Sequence, residues 1–216
     1  MKTRRIIALI LLLGMVIVCF GGCVKDKNPL AKYTEDTSTG PKEYFYVAMA
    51  IEDHGIIIVK LDATAAPMTV ENFVGLVREG FYDGLTFHRV INNFMIQGGD
   101  PNADGTGGSK NKIIGEFIVN GYHNPIRHER GVISMARSND YNSASSQFFI
   151  CNATNSTVSN LDFFYAAFGH VVEGMDVVDS ITNETAKYGD SNGGIENKKK
   201  QAVITQMKVI IYTETE

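Results

Sequence analysis

In the stretch FHRVINNFMIQGGDPNADGTGG, residues 87–108, Arg89 stands among apolar side chains and Gln97 follows eight positions later. No serine or cysteine with a base beside it lies there. A guanidinium is a planar cation that keeps its charge at any relevant pH and offers hydrogen-bond donors in a fixed fork. It can favour an electron-rich atom but does not open a bond by nucleophilic attack. Chemistry that needs only a positioned donor is what this residue can supply.

Other chemistries fail on spacing. A phosphate loop needs four residues between its first glycine and Gly-Lys-Ser/Thr, whereas Gly107-Gly108 runs into Ser109-Lys110. Asp100, Asn102, Asp104 and Gly105 match the opening of a calcium loop, but its twelfth position, a bidentate glutamate, is Asn111. A tight, hydrogen-bonded Asx-type turn is the expected reading. His54, His88, His123, His128 and His170 lack ligand spacing, so no metal site is expected. His88 reads as a barrel histidine. The serines of ARSNDYNSASSQFF, residues 136–149, form no G-x-S-x-G elbow.

The elements that position Arg89 are mostly short and apolar. Tyr44–Ile51 and Gly55–Leu61, joined by Glu52-Asp53-His54, read as a β-hairpin. The period then changes: Val70, Phe73, Val74 and Val77 recur on one helical face, with Pro67 at the start and Gly80 at the stop. Strand-like runs follow at Leu85–Ile91, Phe94–Gln97, Ile113–Phe117, Val132–Ala136, Gln147–Cys151, Ala166–Val171 and Val203–Tyr212. A second short helix is expected at Gly174–Ile181, and an exposed loop over Glu184–Lys200. Many short strands and few helices point to a mainly β fold, a closed or sandwiched antiparallel sheet.

The chain has 216 residues, 44% hydrophobic and 20% charged, enough for one domain and an appendage. Its net charge of −4, with one basic run at Lys198-Lys199-Lys200, excludes a nucleic-acid footprint. Lys2, Arg4 and Arg5 precede the uncharged run Ile6–Phe20, which is short for a membrane span of about 20 residues but suits a secretory signal. FGGC then resembles the end of a bacterial lipoprotein signal. It implies cleavage of residues 1–22, lipid on Cys23, and a membrane partner reached through that lipid on the extracytoplasmic side of the cell envelope. Cleavage leaves 17 basic against 24 acidic residues. Residues 23–42 read as a flexible tether, and 43–216 as the folded domain. Cys19 lies in the apolar run, and Cys151 in QFFIC reads as a buried small hydrophobe.

Seven segments occur in one order: FYDGLTFHRVI, FMIQGGD, GTGG, ISMA, SQFFI, LD and FGHVVEGMDVV. Together they resemble the cyclophilins, β-barrel peptidyl-prolyl isomerases, across roughly Tyr44 to Tyr212, in their bacterial branch. The resemblance implies a closed eight-stranded antiparallel barrel with two helices capping the ends, a monomer, and no cofactor. It implies that Arg89 is the catalytic arginine with Gln97 beside it, and that Phe94, Met95, Phe149 and Leu161 form the proline pocket. Ala136, Arg137 and Gln147 fall where the family holds the substrate backbone, and Tyr165 occupies a site-edge position. Departures are Asn160, where members that bind cyclosporin tightly carry Trp, Ser145 for Gly, and Arg137 for Asn. Phe163-Phe164 is expected to reshape the pocket rim.

This family chemistry suits a lone arginine. Rotation about a peptide bond faces a barrier of ~18–20 kcal/mol because nitrogen shares its lone pair with the carbonyl. In the twisted state that lone pair is localised and can accept a hydrogen bond. The implied function is isomerisation of X-Pro bonds in proline-containing polypeptides that fold outside the cytoplasm. The alternative is a proline-segment binding module or chaperone with little turnover.

Overall fold

The computed structural model describes residues 28–214; the signal segment, Cys19 and Cys23 lie outside them. Tyr44–Ile51 (β1) and Gly55–Asp62 (β2) form the expected hairpin, paired from Tyr44↔Asp62 to Ile51↔Gly55. The remaining strands are Thr86–Ile91 (β3), Met95–Gly98 (β4), Val132–Met135 (β5), Phe148–Cys151 (β6), Ala167–Glu173 (β7) and Ala202–Ile210 (β8). They close a barrel in the order β1-β2-β7-β5-β6-β4-β3-β8, every pair antiparallel. Closure leaves no free sheet edge.

Helix Pro67–Arg78 (α1) places Val70, Phe73, Val74 and Val77 against the barrel interior, as the 3.6-residue period requires. Phe73 packs edge-on against Phe148 and tilts against Tyr82 and Phe168. No side chain at the N-cap binds the helix start; buried Glu116 does so instead, accepting from Met68 N and Thr69 N at 3.1 and 2.7 Å. The second helix, Met175–Thr185 (α3), begins one residue later than its expected start and runs four residues further than its expected end. A one-turn helix, Ser156–Ser159 (α2), is capped by Asn155, whose side chain accepts from Val158 N.

Three segments differ from expectation. Ile113–Phe117 is not a strand: Ile113 alone pairs, with Ala144, and a 3-10 turn at Ile118–Asn120 follows. A side chain at Gly115 would sit 2.2 Å from the Phe117 ring and 2.4 Å from Tyr141 O, so the chain folds tightly on itself there. The tether is docked on the barrel at Leu30. Leu30 is fully buried against Ala48, Ala50, Ile58 and Ile210 on the outer face of the barrel. That cover explains why β1 is apolar on both faces. Asp36 N donates to Val209 O, and the Asp36 carboxylate accepts from Ser38 and Lys42. Finally, Glu184–Lys200 is not a free loop, for Ile195 is 2% exposed and Ile195 N donates to His88 O on β3.

Candidate active site

Cross-strand register builds the site. Arg89 on β3 faces Gln97 on β4, which faces Phe149 on β6, which faces Ser134 on β5. Side chains directly opposite one another share a face, so the four form a row on the outside of the barrel. Met95, two residues from Gln97, lies on the same face.

Arg89 is held by two hydrogen bonds. Its Nη1 donates to Gln97 Oε1 at 3.0 Å and its Nε to the Asn192 carbonyl at 2.8 Å. Gln97 Nε2 donates to Gln147 Oε1 at 2.9 Å, and Gln147 Nε2 donates to the carbonyls of Gly105 and Gly107. The relay runs from the arginine to the glycine loop through two amides. Gln97 thus touches Arg89 on one side and Gln147 on the other. Among the described residues, no carboxylate lies within ion-pair distance of Arg89. Partial burial lowers its pKa, and the charges of Tyr165 and Asp190 oppose that shift.

Beside the guanidinium lies a cavity of about 310 Å³ whose walls include Phe94, Met95, Ala136, Arg137, Phe149, Leu161 and Tyr165. Met95 and Phe149 are buried, and they form one apolar cluster with Cys151 and Val158. A second cavity of about 360 Å³ adjoins it through Gln97, Gly105, Ala136 and Arg137, and it also exposes Gln147 and Lys112. Nine of the ten expected site residues thus meet in one cavity, and Gln147 reaches it through Gln97. Arg137, expected against substrate backbone, spends its Nε and Nη1 on Phe164 O and Ser138 O, and lies over the rings of Phe117, Tyr141 and Tyr165. Ala136 N is likewise used, donating to Gln147 O.

Two supports are not evident in the sequence. One is the Asn192 carbonyl, set in place because Asp190 Oδ1 accepts from Asn192 N and Gly194 N, while Val90 N donates to Gly193 O. The other is His128, stacked on Phe149 with ring centroids 6.0 Å apart. Its Nδ1 lies 3.0 Å from Asp162 and its Nε2 3.0 Å from Ser134 Oγ; in the neutral ring Nδ1–H donates to the carboxylate and Nε2 accepts from the serine hydroxyl. Ser134 is fully buried and cannot meet a substrate. Burial lowers the His128 pKa against the raising effect of Asp162. His88, also buried, is lowered by the same cause, with Asp100 opposing.

The expected Asx-type turn is present: the Asp100 carboxylate accepts from Asn102 N, Asp104 N and Gly105 N. Cys151 is a buried free thiol, its pKa pushed up to about 12 by burial.

A barrel with an outward arginine and an apolar cavity can hold a ring against charged donors without attacking it. Residues 46–209 match the family model described as cyclophilin type peptidyl-prolyl cis-trans isomerase/CLD. The chain is 41% identical over 159 residues to peptidyl-prolyl cis-trans isomerase A of Dickeya dadantii, covering 73% of this chain and 80% of that one. It is 43% identical over 137 residues to peptidyl-prolyl cis-trans isomerase B of Escherichia coli, covering 60% and 79%. A Cryptosporidium parvum cyclophilin type isomerase, determined in the presence of the dipeptide Ala-Pro, superposes with a TM-score of 0.65 at 25% identity over 78% of this chain and 99% of that one. By fold, by arginine and pocket, and by descent, the chain belongs to the cyclophilin-type peptidyl-prolyl cis-trans isomerases.

Proposed function

We propose that this isomerase acts on X-Pro bonds of polypeptides folding outside the cytoplasm, held at a membrane by lipid on Cys23, and that Arg89 is its catalytic residue. One observation carries the catalytic assignment. Arg89 is fixed by Gln97 and Asn192 with N–H groups to spare beside an apolar cavity. Phe94, Met95, Phe149 and Leu161 seat the proline ring, and the adjoining cavity takes neighbouring residues of the chain.

A planar amide nitrogen is a poor acceptor, whereas in the twisted state its lone pair is localised. A donor fixed beside it therefore stabilises the transition state more than the ground state, which is the condition for acceleration. A ~10⁵-fold gain asks for ~7 kcal/mol, within reach of a charged donor and a cavity that excludes water. No bond breaks, so the reaction needs no nucleophile.

Arg89→Ala in the chain from Lys25 onward should lower kcat/KM on an X-Pro peptide about 10²–10³-fold, the scale for losing one preorganised donor. Unchanged turnover in a folded variant ends the assignment. The location rests on the basic start, the apolar run and FGGC. In cells fed a labelled fatty acid, the wild type should carry the label and Cys23→Ser should not; an unlabelled wild type removes the anchor.

A further inference from the structure

Eight large hydrophobic side chains are exposed among the described residues, and four of them lie on two loops, one of which adjoins the cavity wall at Leu161 and Tyr165. Phe163 and Phe164 are 44% and 42% exposed, and Ile118 and Val119 are 44% and 45% exposed. Two separate loops carry them, joined where Val119 N donates to Phe163 O at 3.1 Å. Singly scattered apolar residues are ordinary on a surface; a contiguous group marks an interaction site.

The group is built onto the cavity. Phe164 N donates to the carbonyl of Leu161, a wall residue, and Tyr165, the next residue, is another wall. Arg137 Nε donates to Phe164 O at 3.0 Å while its guanidinium lies over Tyr165. Arg127 lies over the outer ring, 5.0 Å from the Phe163 centroid. Phe163 also adopts φ +72°, a left-handed conformation that disfavours bulky side chains. A strained aromatic residue held in water is costly to folding and is what a binding surface retains.

We infer that Phe163, Phe164, Ile118 and Val119 form an apolar subsite for side chains flanking the proline of an unfolded polypeptide, giving a preference for apolar-flanked X-Pro bonds. The subsite rests on the isomerase reading above, since its occupant is the chain whose proline fills the neighbouring cavity. Continuity with Leu161 and Tyr165 fixes that occupant.

The test uses two proline peptides of equal length, one with phenylalanine and leucine around the X-Pro bond and one with serines there. The wild-type chain from Lys25 onward should favour the apolar peptide about ten-fold in kcat/KM, which corresponds to about 1.4 kcal/mol. The Phe163→Gly, Phe164→Ser variant should bring that ratio near one, and glycine relieves the left-handed strain, so folding is retained. Ile118→Ser, Val119→Ser on the facing loop should reduce the ratio partway.

A ratio near one in the wild type, or one that survives in the first variant, overturns the subsite. So does a wild-type dimer that the first variant dissolves, which would make the rim a self-association surface. Should the wild type isomerise neither peptide, the isomerase reading fails, and fluorescence anisotropy of the same peptides still decides. Tighter binding of the apolar peptide, lost in the variant, supports the subsite; equal binding overturns it.

Discussion

Replacing Gln97 with alanine should slow turnover about ten-fold and leave KM within a factor of two. Gln97 Oε1 accepts from Arg89 Nη1 at 3.0 Å, and Asn192 O still accepts from Nε at 2.8 Å once the glutamine is gone. One of two restraints on the guanidinium is lost. A hydrogen bond to a charged group contributes about 1.5–3 kcal/mol; with the second restraint intact the lower figure applies, and ~1.4 kcal/mol is ten-fold in rate. The apolar walls are untouched, since Phe94, Met95, Phe149 and Leu161 line the cavity from other positions. Gln147 loses a donor to its Oε1, but it borders an open cavity where water replaces the bond. Gln97→Glu sharpens the test. A carboxylate keeps the acceptor for Arg89 but adds a negative charge, so it should be at least as slow as alanine. Isomerisation of one X-Pro peptide across a substrate range, by exchange NMR, separates kcat from KM. A raised KM with unchanged kcat, or a Gln97→Glu variant faster than wild type, refutes the positioning role.

The kcat/KM of the wild type should be nearly flat from pH 6 to 8, because Arg89 stays charged and burial holds His88 and His128 below the usual histidine pKa; a steep bell in that range points to a titrating histidine. The depressed His128 pKa has a stability consequence. The unfolded chain takes up its proton first, so stability present above pH 6.5 is lost as the pH falls through that value toward the folded pKa. Thermal melts at pH 7.5 and 5.5 should differ more for wild type than for His128→Gln, and the reverse order refutes the linkage. Burial raises the Asp36 pKa, but hydrogen bonds from Lys42 and Ser38 outweigh it and bring the group from 3.8 to about 2. Asp36→Asn should therefore cost about 1–2 kcal/mol at pH 7, less than the full 1.36 kcal/mol per unit implies because Lys42 is partly in water. That difference should vanish as the pH falls from 3.8 to 2, as chemical denaturation at several pH values would reveal.

What the sequence shows of this fold is what local patterns encode. The hairpin at Tyr44–Asp62 and the helical face of Val70, Phe73, Val74 and Val77 follow from period alone. The pocket residues follow from ordered segments that resemble a family. Asn192 stays hidden because the group that matters is a backbone carbonyl, which every residue has. His128 stays hidden because Asp162 is 34 positions away, and their meeting is a product of barrel closure. Leu30 is one apolar residue in a polar stretch, and a single hydrophobe has no period; only the apolar outer face of β1 hints that something covers it. Gly115 breaks a run that composition alone makes a strand.

The docking of the arm bears on how far the enzyme could travel under the anchor proposed above. If Cys23 carries lipid and the chain meets the barrel at buried Leu30, seven Cα–Cα steps separate anchor from body, a reach of about 24 Å at full extension. A tether free as far as Lys42 would let the barrel roam through a deep layer; the shorter leash would confine it to a thin shell on the membrane surface. The search for clients would then become nearly two-dimensional, and chains just emerging from the bilayer would be met far more often than those already released. Lengthening the leash with a flexible insert after Cys23 would trade that bias for range.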